Sequence, residues 1–228
     1  MTQQFLRDLD LLRKKVVSLG SRVEMAVEKA ITALLDDRQE LAEEVIRDDA
    51  DIDEQEMLIE SECLKILALH QPVAQDLRFI VTVLKVNSDL ERIGDLAVNT
   101  SDRASRVACQ DRPRFPPTFR EMGDRTKAML RAALDALFEQ DVAKAREVIA
   151  ADDAVDRLLR EMYALVKDRL RDEPETMEAS VCMLLAARDL ERIADLATNI
   201  AEDLIFMVEA ENVRHAYRRE QAGRGSGS

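Results

Sequence analysis

Glu91 and Asp95 stand four residues apart, and so do Glu191 and Asp195. On a helix that spacing puts two carboxylates about 40° apart on one face. Each half of the chain carries a second such pair upstream, Asp49 with Asp53 and Asp152 with Asp156. Asn99 and Asp102 continue the first stripe. Asn199 and Glu202, with Asp203 adjoining, continue the second, while Glu56 and Glu60 extend the Asp49 stripe. If the helices carrying these pairs are antiparallel neighbours, two carboxylate pairs face each other across a groove. Like charges at this spacing cost a helix a few tenths of a kcal/mol per pair. Opposing two pairs costs more, unless protons or a cation neutralise them. Oxygen donors without thiolates suit hard cations such as Mg, Mn, Ca or oxidised iron. The same residues also read as a solvated acidic face, with Arg92, Arg192 and Arg188 as local partners. Spacing leaves both readings open.

Other chemistry lacks its residues. A carboxylate di-iron oxidase needs Glu-x-x-His pairs, and neither His70 nor His215 follows a Glu by three positions. His70, before Gln71-Pro72, reads as a helix-end capping or surface residue. There is no glycine-rich loop to cradle a phosphate with backbone amides. No Ser or Cys has a basic partner nearby in sequence, and the methionines read as core filler. No catalytic residue is expected, and the chain is not expected to be an enzyme. Metal buffering, or least of all a carboxylate–metal hydrolase or oxidase, stands as the alternative.

The elements that must position these carboxylates follow from a repeat. Asp89-Leu-Glu-Arg-Ile-Gly-Asp-Leu-Ala-Val-Asn99 returns 100 residues later as Asp189-Leu-Glu-Arg-Ile-Ala-Asp-Leu-Ala-Thr-Asn199. Val45-Ile46 through Ile52-Asp53 returns 103 residues later as Val148-Ile149 through Val155-Asp156, so the later connection is three residues shorter. The halves are duplicates. In the first, Leu9, Leu12, Val16, Leu19, Val23, Ala26, Ala30 and Ala33 alternate steps of three and four, the seam of near-parallel helix packing. Helices are expected along the Leu9–Ala33 seam, over Gln39–Leu69 and from Pro72 to about Val107, then near Thr118–Glu139, Asp141–Arg171 and Pro174–Tyr217. The fold expected is all-α, two tandem pseudo-symmetric three-helix bundles with six long helices. Their bounds are 1–108 and 118–220, with a linker at 109–117 and a disordered Gly/Ser tail at 221–228.

Composition agrees with helices. Among 228 residues there are 6 Gly, 5 Pro and no Trp, and charged residues make up 35%. The net charge of −13 argues against nucleic acid as a partner. The N-terminus is polar, and no apolar run reaches the roughly 18–20 residues that span a bilayer. Cys63, Cys109 and Cys182 show no CxxC spacing and fit reduced thiols. A cytoplasmic protein is expected, meeting membranes only through partners.

The doubled Asp-Leu-Glu-Arg-Ile-x-Asp-Leu-Ala-x-Asn motif resembles the PhoU family, as do Gln71-Pro72-Val-Ala-x-Asp-Leu-Arg78 and Asn199-Ile-Ala-Glu-Asp-Leu-Ile205. The likeness runs from Phe5 to about Glu209. It implies two three-helix bundles, often paired in a homodimer or larger oligomer. It also implies a negative regulator of the phosphate-starvation response, linking the ATPase subunit of a phosphate ABC transporter to a sensor histidine kinase. Some members hold metal clusters on paired Glu/Asp-x-x-x-Asp motifs. These fall here on Asp49/Asp53 with Glu91/Asp95 and on Asp152/Asp156 with Glu191/Asp195, for iron, manganese, magnesium or zinc ions. Asn99, Asp102, Asn199, Glu202 and Asp203 are secondary candidates. Two departures stand out: Ala194 replaces Gly94, and the second half lacks the Gln-Pro entry.

Overall fold

The computed structural model describes residues 3–108 and 115–211. Its helices are α1 (Gln3–Asp36), α2 (Gln39–His70), α3 (Ala74–Ala108), α4 (Pro117–Glu139), α5 (Val142–Asp172) and α6 (Met177–Glu209). The first three pack on one another, as do the last three, and α3 on α6 and α1 on α4 join the halves. One continuous apolar core runs through both bundles.

Local chemistry sets the bounds of α2, α4 and α5 near those expected. Pro116 and Pro117 open α4, and the Asp141 side chain caps α5 by accepting from the Lys144 N–H at 3.0 Å. Gln71 and Gln140 take left-handed φ values of 46° and 57° at the ends of α2 and α4. Glycine is favoured at such positions, and this chain manages with few. The helix expected over Pro174–Tyr217 differs from the one observed. Pro174–Thr176 forms a 3₁₀ turn first, and α6 stops at Glu209, where Ala210 turns left-handed and donates to the Phe206 carbonyl. The remainder of that expectation, with His215 and the 221–228 tail, lies outside the described residues, as does Cys109.

The α1 seam is buried as its spacing predicts, except that Ala26 is half-buried. A second stripe, Gly20, Val27, Ile31 and Leu34, is buried as well, and this one meets α4. A Cβ on Gly20 would stand 3.1 Å from Leu134, and one on Gly123 would stand 3.0 Å from Ile31. Positions 20 and 123 correspond in the repeat, as do 31 and 134, so the two contacts are the same contact seen from each half. His70 is tied down at the far end of α2: its Nε2 lies 3.0 Å from the Asp8 carboxylate, and its ring is tilted against Phe5.

Candidate metal centres and the cleft between them

Apolar residues set the register of the acidic pairs. Ile52 and Ile59 of α2 and Leu90, Ile93 and Ala97 of α3 are buried, which turns Asp49, Asp53, Glu91 and Asp95 to the rim of the same interface. The helices run antiparallel, so Asp49 feels Asp95 and Glu91 feels Asp53. In the second half Asp152 feels Asp195, and Glu191 feels Asp156. The four expected pairs therefore meet as two facing sets.

The charges respond. Burial first, then Asp53 and Asp95, raises the Asp49 carboxyl above its ordinary range. Burial, then Asp95, Asp53 and Glu56, raises Glu91. Asp152 is pushed up to about 7 by burial, followed by Asp195, Asp156, Asp153 and Glu191. Glu191 rises too, through burial, Asp195 and Asp156. Carboxylates held at elevated proton affinity by one another gain when a cation takes the proton's place.

The donor set fits a hard cation in type and register, with carboxylate oxygens on both walls of each groove. As the side chains stand, no group of three or more His, Cys, Asp or Glu among the described residues is gathered closely enough to hold an ion. Ligation therefore requires these carboxylates to turn into the groove.

The helices pack closely here because of one small residue. A Cβ on Gly94 would lie 3.3 Å from Ile52 and 3.9 Å from an Asp49 carboxylate oxygen. In the second half Ala194 stands where Gly94 does, and Val155 where Ile52 does. The methyl gained on one helix is lost from the other, which preserves volume at the crossing.

The secondary candidates scatter. Asn99 and Asp102 are exposed, Glu202 and Asn199 half-buried. Asp203 turns away from the acidic groove: it is 1% exposed, and its Oδ1 accepts from Lys85 Nζ at 3.0 Å. It belongs to the α3–α6 contact, where Arg78 also donates to the Met207 carbonyl and Arg103 pairs with buried Asp189. Burial raises the Asp189 carboxyl to about 6 against the pull of Arg103, Arg192 and Arg188. Glu56 accepts from the Asn87 amide at 3.0 Å. The Cys63 thiol is pushed up to about 12 by burial, then Glu60 and Glu62, which makes it unreactive.

One feature escaped sequence reading. Where α3 crosses α6 a polar cleft of about 340 Å³ opens between the two acidic sets, floored by Leu96 and Leu196. Its walls are Arg92, Asp95 and Asn99 from one helix and Arg192, Asp195 and Asn199 from the other. The signal was present in the return of Arg and Asn in both motif copies. Only the crossing of α3 on α6 gives that return a location.

Comparison with known proteins agrees with this geometry. The family model for the PhoU domain matches twice, at residues 16–104 and 119–204. The phosphate-specific transport system accessory protein PhoU homolog of Pseudomonas putida is 36% identical over 217 residues, covering 94% of this chain and 84% of that protein. The accessory protein PhoU of Escherichia coli K12 is 30% identical over 212 residues, 93% of this chain and 88% of its own. The crystal structure of PhoU from Pseudomonas aeruginosa superposes with a TM-score of 0.89 at 35% identity, covering 91% of this chain and all of that one. The phosphate transport system regulatory protein PhoU from Streptococcus pneumoniae gives 0.85 at 28% identity, over 92% and 99%. No helix among the described residues is long and apolar enough to cross a membrane.

Proposed function

The chain belongs to the PhoU family, and on that premise we propose that it is a cytoplasmic, non-enzymatic accessory protein of phosphate-specific transport. It acts as an adaptor between the transporter's ATPase subunit and a sensor histidine kinase, and holds the phosphate-starvation response down when phosphate is plentiful. The two facing carboxylate sets hold metal ions, with Asp49, Asp53, Glu91 and Asp95 at one centre and Asp152, Asp156, Glu191 and Asp195 at the other. Iron, manganese, magnesium or zinc would neutralise charge there and brace the long helices. The protein works as a homodimer or larger assembly.

The observation that carries this reading is the family match to both halves with all four carboxylate pairs in facing register. The relatives are named accessory and regulatory proteins rather than enzymes. A pull-down from cells grown in high and low phosphate tests it, comparing the wild type with a chain whose eight carboxylates are changed to Asn or Gln. The wild type is expected to retain the ATPase subunit or the kinase, and the neutralised chain to lose metal and partner together. Robust phosphoester hydrolysis by the metal-loaded protein, with neither partner retained, would overturn the reading.

A further inference from the structure

The cleft between α3 and α6 has the chemistry of an anion site. Arg92 and Arg192 occupy equivalent repeat positions, as do Asn99 and Asn199, so two guanidiniums and two amides surround one space from both sides. A guanidinium offers a planar fork of N–H donors matched to oxyanions, and each amide adds two more donors. These donors are largely unspent. Arg92 lies 3.9 Å from Asp89, at the limit of an ion pair, with its side chain 55% exposed. Arg192, Asn99 and Asn199 make no hydrogen bond or ion pair among the described residues. A purely structural role for the arginines, shielding carboxylates on their own helix, does not require them to converge on a common cleft with two amides.

Size and lining narrow the ligand. The cleft of about 340 Å³ has room for a tetrahedral anion and several waters, since one water takes about 30 Å³ of liquid. Its apolar floor is two leucines, with no aromatic wall on which a base would stack. Asp95 and Asp195 line the same space, and negative carboxylates repel an anion. Cations on the two carboxylate sets remove that repulsion and add positive charge on either side.

We propose that this cleft binds one small tetrahedral oxyanion of the inorganic phosphate class, held by Arg92, Arg192, Asn99 and Asn199 and admitted once Asp95 and Asp195 carry cations. The inference rests on the cation reading above. Binding on the pseudo-twofold axis would tie the halves together through a ligand that neither half holds alone.

Equilibrium dialysis of radiolabelled inorganic phosphate against the full chain, with and without manganese, tests this, with elemental analysis of the same samples. Saturable binding near one phosphate per chain is expected only with manganese. Arg92→Gln and Arg192→Gln should each weaken it by at least about tenfold while leaving metal content and helicity intact, and Asn99→Ala with Asn199→Ala should weaken it too. Metal-loaded protein that takes up no phosphate overturns the oxyanion site and leaves the cation reading standing. Protein that binds no metal overturns both. Phosphate bound equally well by the double arginine variant would place the anion on the metal alone and refute the cleft. A phosphoserine peptide should compete only at much higher concentration than free phosphate, and the reverse order would count against a free ion.

Discussion

The two halves share a skeleton, a carboxylate register and a motif, yet their acidic grooves sit in different surroundings. In the first, Glu56 and Glu60 continue the α2 stripe beyond Asp53, and Asp53 and Asp95 are exposed. In the second, the matching positions are Leu159 and Tyr163, and all four carboxylates are half-buried. Burial therefore drives Asp152 up to about 7, whereas Asp49 rises with part of its field shared along a longer, wetter stripe. The same carboxylate pattern can thus be tuned by what continues the helix one and two turns away. The contact between the halves is uneven too: Arg103 pairs with Asp189 at one end, while the repeat puts Asp203 where Arg103 would be, and Lys85 reaches over to it at the other.

The strongest way to break this comparison is at that contact. Arg103→Ala leaves Asp189 buried without its closest cation, and truncating one partner of a buried pair costs about 3 kcal/mol. Thermal unfolding at pH 8 should fall by roughly 6–12 °C. The loss should shrink toward pH 5, because Asp189 takes a proton readily. Lys85→Ala, whose side chain is 39% exposed, should cost less, and an equal loss from both would erase the asymmetry.

Next comes Asp152. Its folded pKa of about 7 lies above the ordinary 3.8, so the folded state binds the proton more tightly. Metal-free protein should lose stability as pH rises from about 4 to 7 and then level off. Asp152→Asn should remove that slope and stabilise the metal-free chain at pH 8 by about 2 kcal/mol, after allowance for solvent screening. Asp49→Asn should do the same in direction and less in size. Unfolding curves across pH, recorded in chelator, decide it, and a larger effect at Asp49 would reverse the comparison.

The smallest effect tests whether the crossings are interchangeable. Gly94→Ala gains about 1 kcal/mol of helix propensity and loses it against Ile52, 3.3 Å away, so Ile52→Val should release the gain by restoring the second half's arrangement. A double-mutant cycle in denaturant reads the coupling, and additive effects would mean the swap is not compensatory.

Much of this was legible in the residues. The three-and-four spacing of Leu9 to Ala33 marked the first helix and its inward face, and the 100- and 103-residue shifts placed the six helices. Antiparallel packing of α2 on α3 is enough to bring the carboxylates face to face. What stayed hidden depends on helices from different halves meeting. Val27 and Ile31 belong to a second buried stripe that a single seam does not reveal, because a helix can be apolar on two sides for two neighbours. Arg92 and Arg192 looked like local partners of nearby acids until α3 and α6 crossed. Asp203 followed Glu202 in the acidic run, but one residue on a helix is a turn of about 100°, enough to carry it into the contact with Lys85. The end of α6 at Ala210 has no glycine or proline to announce it.

The reciprocal glycines, Gly20 against Leu134 and Gly123 against Ile31, have the logic of an isologous interface, in which residue i meets j and j meets i. A free dimer of one repeat would satisfy the same two contacts, but would be bound to keep its partner sites identical. Joining the copies through a short linker fixes them at high effective concentration and releases them from that identity. One half can then hold an arginine at position 103 where the other holds an aspartate at 203, so the two ends of a single chain are chemically distinguishable.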